Sequence, residues 1–132
     1  MSAGHVYLLD SEGLSQAARG DRRMGARLRD AHDAGVRVMT SSMTLIEAYH
    51  DRIRHAAWQW TLSRIHVEPV TEELSQEAIG LLRGTGLRGH RHAIDAALAA
   101  VALRQREPVT VFTSDEDDLR TLCGGRVVVV KL

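Results

Sequence analysis

The stretch Val109-Thr-Val-Phe-Thr-Ser-Asp-Glu-Asp-Asp-Leu119 carries the pattern on which the whole chain is built. Its β-branched and aromatic run, Val109 to Phe112, predicts a strand. Thr113 and Ser114 close the strand, and Asp115, Glu116, Asp117 and Asp118 lead straight into the helical pattern of Leu119 and Leu122. A strand therefore delivers carboxylates to its carboxyl end. In open α/β sheets that edge is where ligands bind, because the loops and helix starts that meet there are free of core packing. Glu116 and Asp117 have an ordinary explanation in the first turn of a helix, where they complement the dipole and where Ser114 can act as the cap. Asp115 has less claim to it.

The same pattern opens the chain. His5-Val-Tyr-Leu-Leu-Asp10 is a short apolar run ended by an acid, and predicts a central, buried first strand. Two helices follow, Ser11 to Arg19 and Arg22 to Ala34, parted at Gly20-Asp21 and stopped at Gly35. Val36 to Thr40 is the second strand. It leads into one long helical stretch, capped by Ser41 or Ser42, which carries Met43, Ile46, Glu47 and Ala57 and extends past Trp58 and Trp60. The third strand is Ile65 to Val70, with Pro69 marking its end or an edge position. A helix from Thr71 through Leu82 stops at Gly84 and Gly86, and after the loop Leu87 to His92 comes an alanine-rich helix, Ala93 to Leu103. Val127 to Val130 closes the chain as a strand. The order β-α-α-β-α-β-α-α-β-α-β predicts an α/β fold: a single three-layer domain over residues 1–132, with a mostly parallel central sheet of about five strands and helices on both faces.

With 132 residues, 44% of them hydrophobic, the chain has the size of one domain and can fill one core. No run approaches the roughly 18 consecutive apolar residues of a membrane span, and the N-terminus lacks the basic-then-apolar order of a signal peptide, so the expected location is the cytoplasm. The single Cys123 excludes an internal disulfide and, lacking partners, a thiolate zinc site; a small buried residue is expected there. Basic and acidic residues balance at 17 each, so overall charge does not point to nucleic acid. Lys131 is the only lysine, which excludes chemistry that needs an internal one. Trp58 and Trp60 are expected in the core or at a subunit interface.

Strand ends and helix starts share one edge of such a sheet. Asp10 and Asp115 end strands, Glu47 and Asp95 lie in early turns of helices, and all four are expected to meet there. Asp95 interrupts an apolar helix, where a carboxylate costs free energy unless something compensates it. A bond to Arg91 or to a backbone amide would be a structural compensation. Carboxylates crowded together repel one another and are tolerated when a divalent cation neutralises them. Oxygen ligands select Mg2+ or Mn2+, with water completing the shell, and argue against zinc or copper. Asp115-x-Asp117 followed by Leu119 and Arg120 lacks the further ligand and the glycine of a calcium EF-hand loop.

The elements Leu8-Leu-Asp10, Thr44-Leu-Ile-Glu-Ala48, Ile94-Asp-Ala-Ala-Leu-Ala-Ala100 and Thr113-Ser-Asp-Glu-Asp-Asp-Leu119, in that order and at roughly that spacing, resemble the PIN-domain nucleases. Among these the chain looks most like the VapC-type toxins of bacterial toxin-antitoxin pairs, and the resemblance spans nearly its whole length. The resemblance implies a PIN-like fold and a Mg2+- or Mn2+-dependent endoribonuclease, with Asp10, Glu47, Asp95 and Asp115 as the catalytic and metal-binding acids. It also sets Asp118 where some members carry an additional acid, and Thr113 where a hydroxyl often supports the site. It further implies an RNA substrate, a homodimer, and neutralisation by a small antitoxin whose apolar segment docks near the first helices. Glu12 departs from the pattern: members usually have a small Ser, Asn or Thr there, and a glutamate adds charge and length beside Asp10.

Two other readings fit parts of the sequence. A phosphohydrolase or receiver domain working through an aspartyl phosphate would also carry an Asp after the first strand, but it needs a lysine late in the sheet, for which Lys131 at the chain end is poorly placed. A non-catalytic PIN-like module that binds RNA or protein draws on Glu12 alone, against four intact acids. His50 and His55 are five apart and so do not share a helix face as a zinc-protease pair does. His90 and His92, beside Arg88, face RNA phosphates or solvent just ahead of Asp95, and no histidine is expected in catalysis.

Overall fold

The computed structural model describes residues 4–132, and among these the chain forms five strands and seven helices. The strands β1 (Val6–Leu9), β2 (Arg37–Ser41), β3 (His66–Glu68), β4 (Val109–Thr113) and β5 (Val128–Lys131) are all parallel, in the order β3-β2-β1-β4-β5. The first strand is central as expected, with Val6 in register with Arg37 on one side and Val109 on the other. Pro69 directly follows the short edge strand β3, where its missing N–H breaks no ladder.

Helices α1 (Ser11–Arg19) and α2 (Arg22–Asp33) link β1 to β2, and α3 (Ser42–Ala48) and α4 (His55–Ser63) link β2 to β3. Helices α5 (Glu72–Thr85) and α6 (Gly89–Arg104) link β3 to β4, and α7 (Glu116–Cys123) links β4 to β5. The first two connections cross the sheet in one direction and the last two in the other. Right-handed crossovers then put the two helix groups on opposite faces. Alternation along the strands matches. Val6, Leu8, Met39, Val109 and Val111 pack with Leu74, Leu98, Leu119 and Leu122 of α5 to α7, whereas Leu9 and Phe112 pack with Met24 and Leu28 of α2. Each large apolar side chain fully buried in this way contributes about 1.5–3 kcal/mol. Leu14, Ala18, Ala48, Ile53 and Trp58 form a further cluster that joins α1 to α3 and α4.

Helix α6 is buried along Ala96 to Ala102, lying against α5 and α7. Its alanines allow close approach, and Asp95 stands immediately before this buried run. Cys123 is buried too, and burial pushes its thiol up to about 11, which leaves it unreactive at neutral pH. Among the described residues no helix is long and apolar enough to cross a membrane.

Two expectations change. The long helical stretch after β2 is two helices, because the chain turns between Tyr49 and Arg54. There the backbone of Tyr49 is extended, the Arg52 N–H donates to His50 Nδ1, and Ile53 turns inward to the cluster around Trp58. Helix α6 starts at Gly89, one turn earlier than Ala93, with a non-helical backbone at His92 (φ −121°, ψ 15°). The two tryptophans also part company. Trp58 is in the core, edge-on to Tyr49 with ring centroids 5.4 Å apart, whereas Trp60 is 60% exposed under the Arg64 guanidinium.

Candidate metal centre

The chain leaves β1 toward β2 but leaves β4 toward β5, so the following helices depart to opposite faces and open a crevice between the two carboxyl ends. Asp10 stands at one of these ends and Thr113 to Asp115 at the other. Asp10 is only 4% exposed, and its carboxylate is held from two sides. Oδ1 accepts the Gly13 N–H at 2.9 Å and so caps α1; Oδ2 accepts the Thr113 hydroxyl at 2.7 Å and the Ser114 N–H at 2.9 Å. Thr113, fully buried, in turn accepts the Asp115 N–H at 2.8 Å. One hydroxyl thus couples the two acids. Thr113→Val keeps the shape but strands the Asp115 amide and removes a bond to a charged group, so it is expected to cost about 2 kcal/mol in urea denaturation, with Thr113→Ser close to wild type.

Ser114 does not cap α7 as expected. Asp115 is the N-cap residue, and its side chain makes no capping bond. Ser114 faces the Asp10 carboxylate instead, donating its N–H at 2.9 Å and its hydroxyl at 3.5 Å to Oδ2. The carboxylate of Asp115 is therefore not consumed by its own helix. Glu116 is consumed by its helix, in an i, i+4 pair with Arg120 at 2.9 Å.

Asp95 shows where the acids converge. Its carboxyl is pushed up to about 7 from 3.8, first by burial and then by the charges of Asp115, Asp10, Glu47 and Asp118. Among the described residues no hydrogen bond or positive charge acts in the opposite sense, so neither Arg91 nor a backbone amide compensates it. Glu47 reaches this group from an exposed position on α3, and Asp118 from the first turn of α7. Glu12 is not part of it. That side chain turns along α1 to Arg19 at 3.3 Å and Gln16 at 3.2 Å, so the extra charge is spent within its own helix.

One residue at this edge escaped the sequence reading. His92 Nδ1 lies 3.5 Å from Asp118 Oδ2, and His92, Asp95 and Asp118 each offer a ligand atom within 4.8 Å of the others. The available signal was the three-residue step from His92 to Asp95, which brings two side chains together on a helix. A loop over 87–92, as the sequence predicts, carries no such spacing.

The donor set fits a hard divalent cation. Asp95 and Asp118 offer oxygen atoms close together, Glu47 and Asp115 carry further charge on the same volume, and Asp10 Oδ1 keeps a lone pair beyond its bond to Gly13. A concavity of about 470 Å³ is lined by Gln16, Asp21, Arg22, Arg23, Arg27, Lys131 and Leu132. Lys131 pairs in register with Thr113, and Arg27 lies over the Phe112 ring at 4.9 Å, so these basic residues border the carboxyl ends of β4 and β5.

The described fold has a solved counterpart. A chain of the VapBC2 complex from Rickettsia felis, crystallised with a DNA fragment from their promoter, matches with a TM-score of 0.70 and 14% identity, over 96% of this chain and 98% of that one. No curated protein sequence matches significantly. The family model described as PIN domain matches residues 7–124, from the central strand to the end of α7, and the chain belongs to the PIN domain family.

Proposed function

We propose that this PIN domain is a divalent-metal-dependent endoribonuclease, with Asp10, Glu47, Asp95 and Asp115 as its catalytic and metal-binding acids and Asp118 as an accessory one. The observation that carries the proposal is Asp95, a partly buried carboxyl with no compensating partner and four other acids acting on it. An uncompensated group of this kind is costly to keep and is resolved by a cation. Mg2+ or Mn2+ would be held by Asp95, Asp115, Glu47 and the free side of Asp10, with Asp118 as an additional ligand. When bound, it supplies Lewis acidity toward the phosphodiester oxygens.

The chain's own residues do the rest. Asp10 is locked by three donors and keeps the crevice in register. Asp115, exposed and free of capping duty, accepts the proton of the attacking water. Water adds to phosphorus as the bond to the leaving oxygen breaks in line, and the departing oxygen takes a proton from solvent. Arg22, Arg23, Arg27 and Lys131 offset the charge of neighbouring phosphates along the RNA.

The motif resemblance, supported by the likeness to a VapBC2 chain, extends the proposal to a cytoplasmic toxin that is homodimeric and neutralised by a cognate antitoxin. Exposed Ile46, Tyr49 and Trp60 on the α3–α4 segment are available for such contacts. Purified protein is expected to cut single-stranded RNA with Mg2+ or Mn2+, to stop in chelator, and to fall to background as Asp115→Asn. Full-rate cutting in chelator would refute the mechanism. Growth unharmed by expression of the protein alone, with no small partner encoded beside it, would count against the toxin role.

A further inference from the structure

We infer that His92 supplies a nitrogen ligand to the ion shared with Asp95 and Asp118, and thereby turns the preference of the site from Mg2+ toward Mn2+. The inference rests on the nuclease reading and adds a residue to it. The His92 side chain is 15% exposed, its Nδ1 is 3.5 Å from Asp118 Oδ2, and the three donors lie within 4.8 Å of one another. Two ligands of one octahedral ion, each about 2.1 Å from it, are roughly 3 to 4.2 Å apart, so the cluster needs only small side-chain adjustments to close on a cation. A simple ion pair between His92 and Asp118 would need no third member. Asp95 is that third member, and among the described residues it has no hydrogen-bond or salt-bridge partner of its own. Helix α6 carries Asp95 and, at the kink near its start, His92; α7 carries Asp118, and the packing of the two helices brings the three donors together.

Imidazole is a softer donor than carboxylate. Mg2+ favours all-oxygen shells and gives up water reluctantly, so replacing one oxygen by nitrogen disfavours it relative to Mn2+ and the later first-row ions. The other six histidines are not members of the cluster.

The test is pulsed electron paramagnetic resonance on the full chain loaded with Mn2+, together with calorimetric titration of Mn2+ and of Mg2+ into wild type and His92→Gln. Expected are nitrogen modulation from a directly bound imidazole in the wild type, its loss in His92→Gln, Mn2+ binding about tenfold weaker in the variant, and Mg2+ binding within about twofold of wild type. His92→Asn serves in the same way should the glutamine variant not fold. Wild type without nitrogen modulation, modulation that survives the substitution, or equal weakening of both ions would overturn the inference, the last leaving His92 as a residue that only positions Asp118. If neither ion binds the wild type, the nuclease reading falls as well, so the two failures are distinguishable.

Discussion

Asp10→Ala is expected to melt roughly 10 °C below the wild type in metal-free buffer and to leave no RNA cleavage. Truncation strands the Gly13 and Ser114 amides and the Thr113 hydroxyl, all now bonded to one buried carboxylate. Stranded donors of this kind cost about 1–3 kcal/mol each, of which water entering the vacated space recovers part. Against this, removing the charge relieves its repulsion of Asp95, on the order of 1 kcal/mol. The bonds win, with a net loss of about 2–3 kcal/mol, or several degrees per kcal/mol for a chain this size. Asp10→Asn does not rescue the fold. An amide has one oxygen, so its NH2 must face either the Gly13 N–H or the Ser114 N–H, and one backbone donor loses its acceptor. An Asp10→Asn protein as stable as wild type in chelator would show that these bonds matter less than the charge they hold.

The same substitution at Asp95 is expected to act in the opposite direction. Asp95→Asn keeps the shape, breaks no bond and removes a charge on which four others act. The pH dependence follows from the proton. The folded-state carboxyl titrates at about 7 against 3.8 in the unfolded chain, so between these values the native state holds a proton that the unfolded state has released. Stability must then fall as pH rises through this window, with the penalty absent below about 4 and complete above about 7. Water reaches part of the group, which reduces the penalty to the order of 1 kcal/mol. In chelator at pH 8 the variant is therefore expected to melt a few degrees above wild type, and at pH 4 the two should coincide. Mn2+ reverses the order. At 100 times its Kd it stabilises the wild type by about 2.7 kcal/mol, whereas the variant, short of a ligand, gains little. Four melts of each protein, at two pH values with and without Mn2+, are decisive. An Asn variant destabilised in chelator, or equal responses to Mn2+, would make Asp95 a structural residue.

Much of this fold is legible in the residues themselves. The strands β1 and β4, of four and five residues, read as short apolar runs, β1 alternating between the two faces with Val6 and Leu8 against Tyr7 and Leu9, and an acid closely follows each. The alternation of strand and helix then leaves a parallel sheet as the natural solution. Local pattern also assigned Asp95 to the start of a buried helix. It failed between Tyr49 and Arg54, where helix propensity is adequate but burial of Ile53 against Leu14 and Trp58 demands a turn. It failed again at His92, whose significance depends on Asp118, a residue distant in sequence and brought near by the packing of α6 on α7.

Asp10 and Asp115 mark the limit most clearly. In sequence they are alike, each an acid at the end of an apolar strand, and that much places both at one edge of the sheet. Which of them serves the fold was decided only by tertiary structure. Asp10 is engaged because Thr113 and Ser114, 103 and 104 residues away, bring their donors to it through the pairing of β1 with β4, while Gly13 closes from its own helix. Asp115 meets no such donors and remains exposed, because hydrogen-bond partners are assigned by the register of distant strands and no local pattern encodes that register.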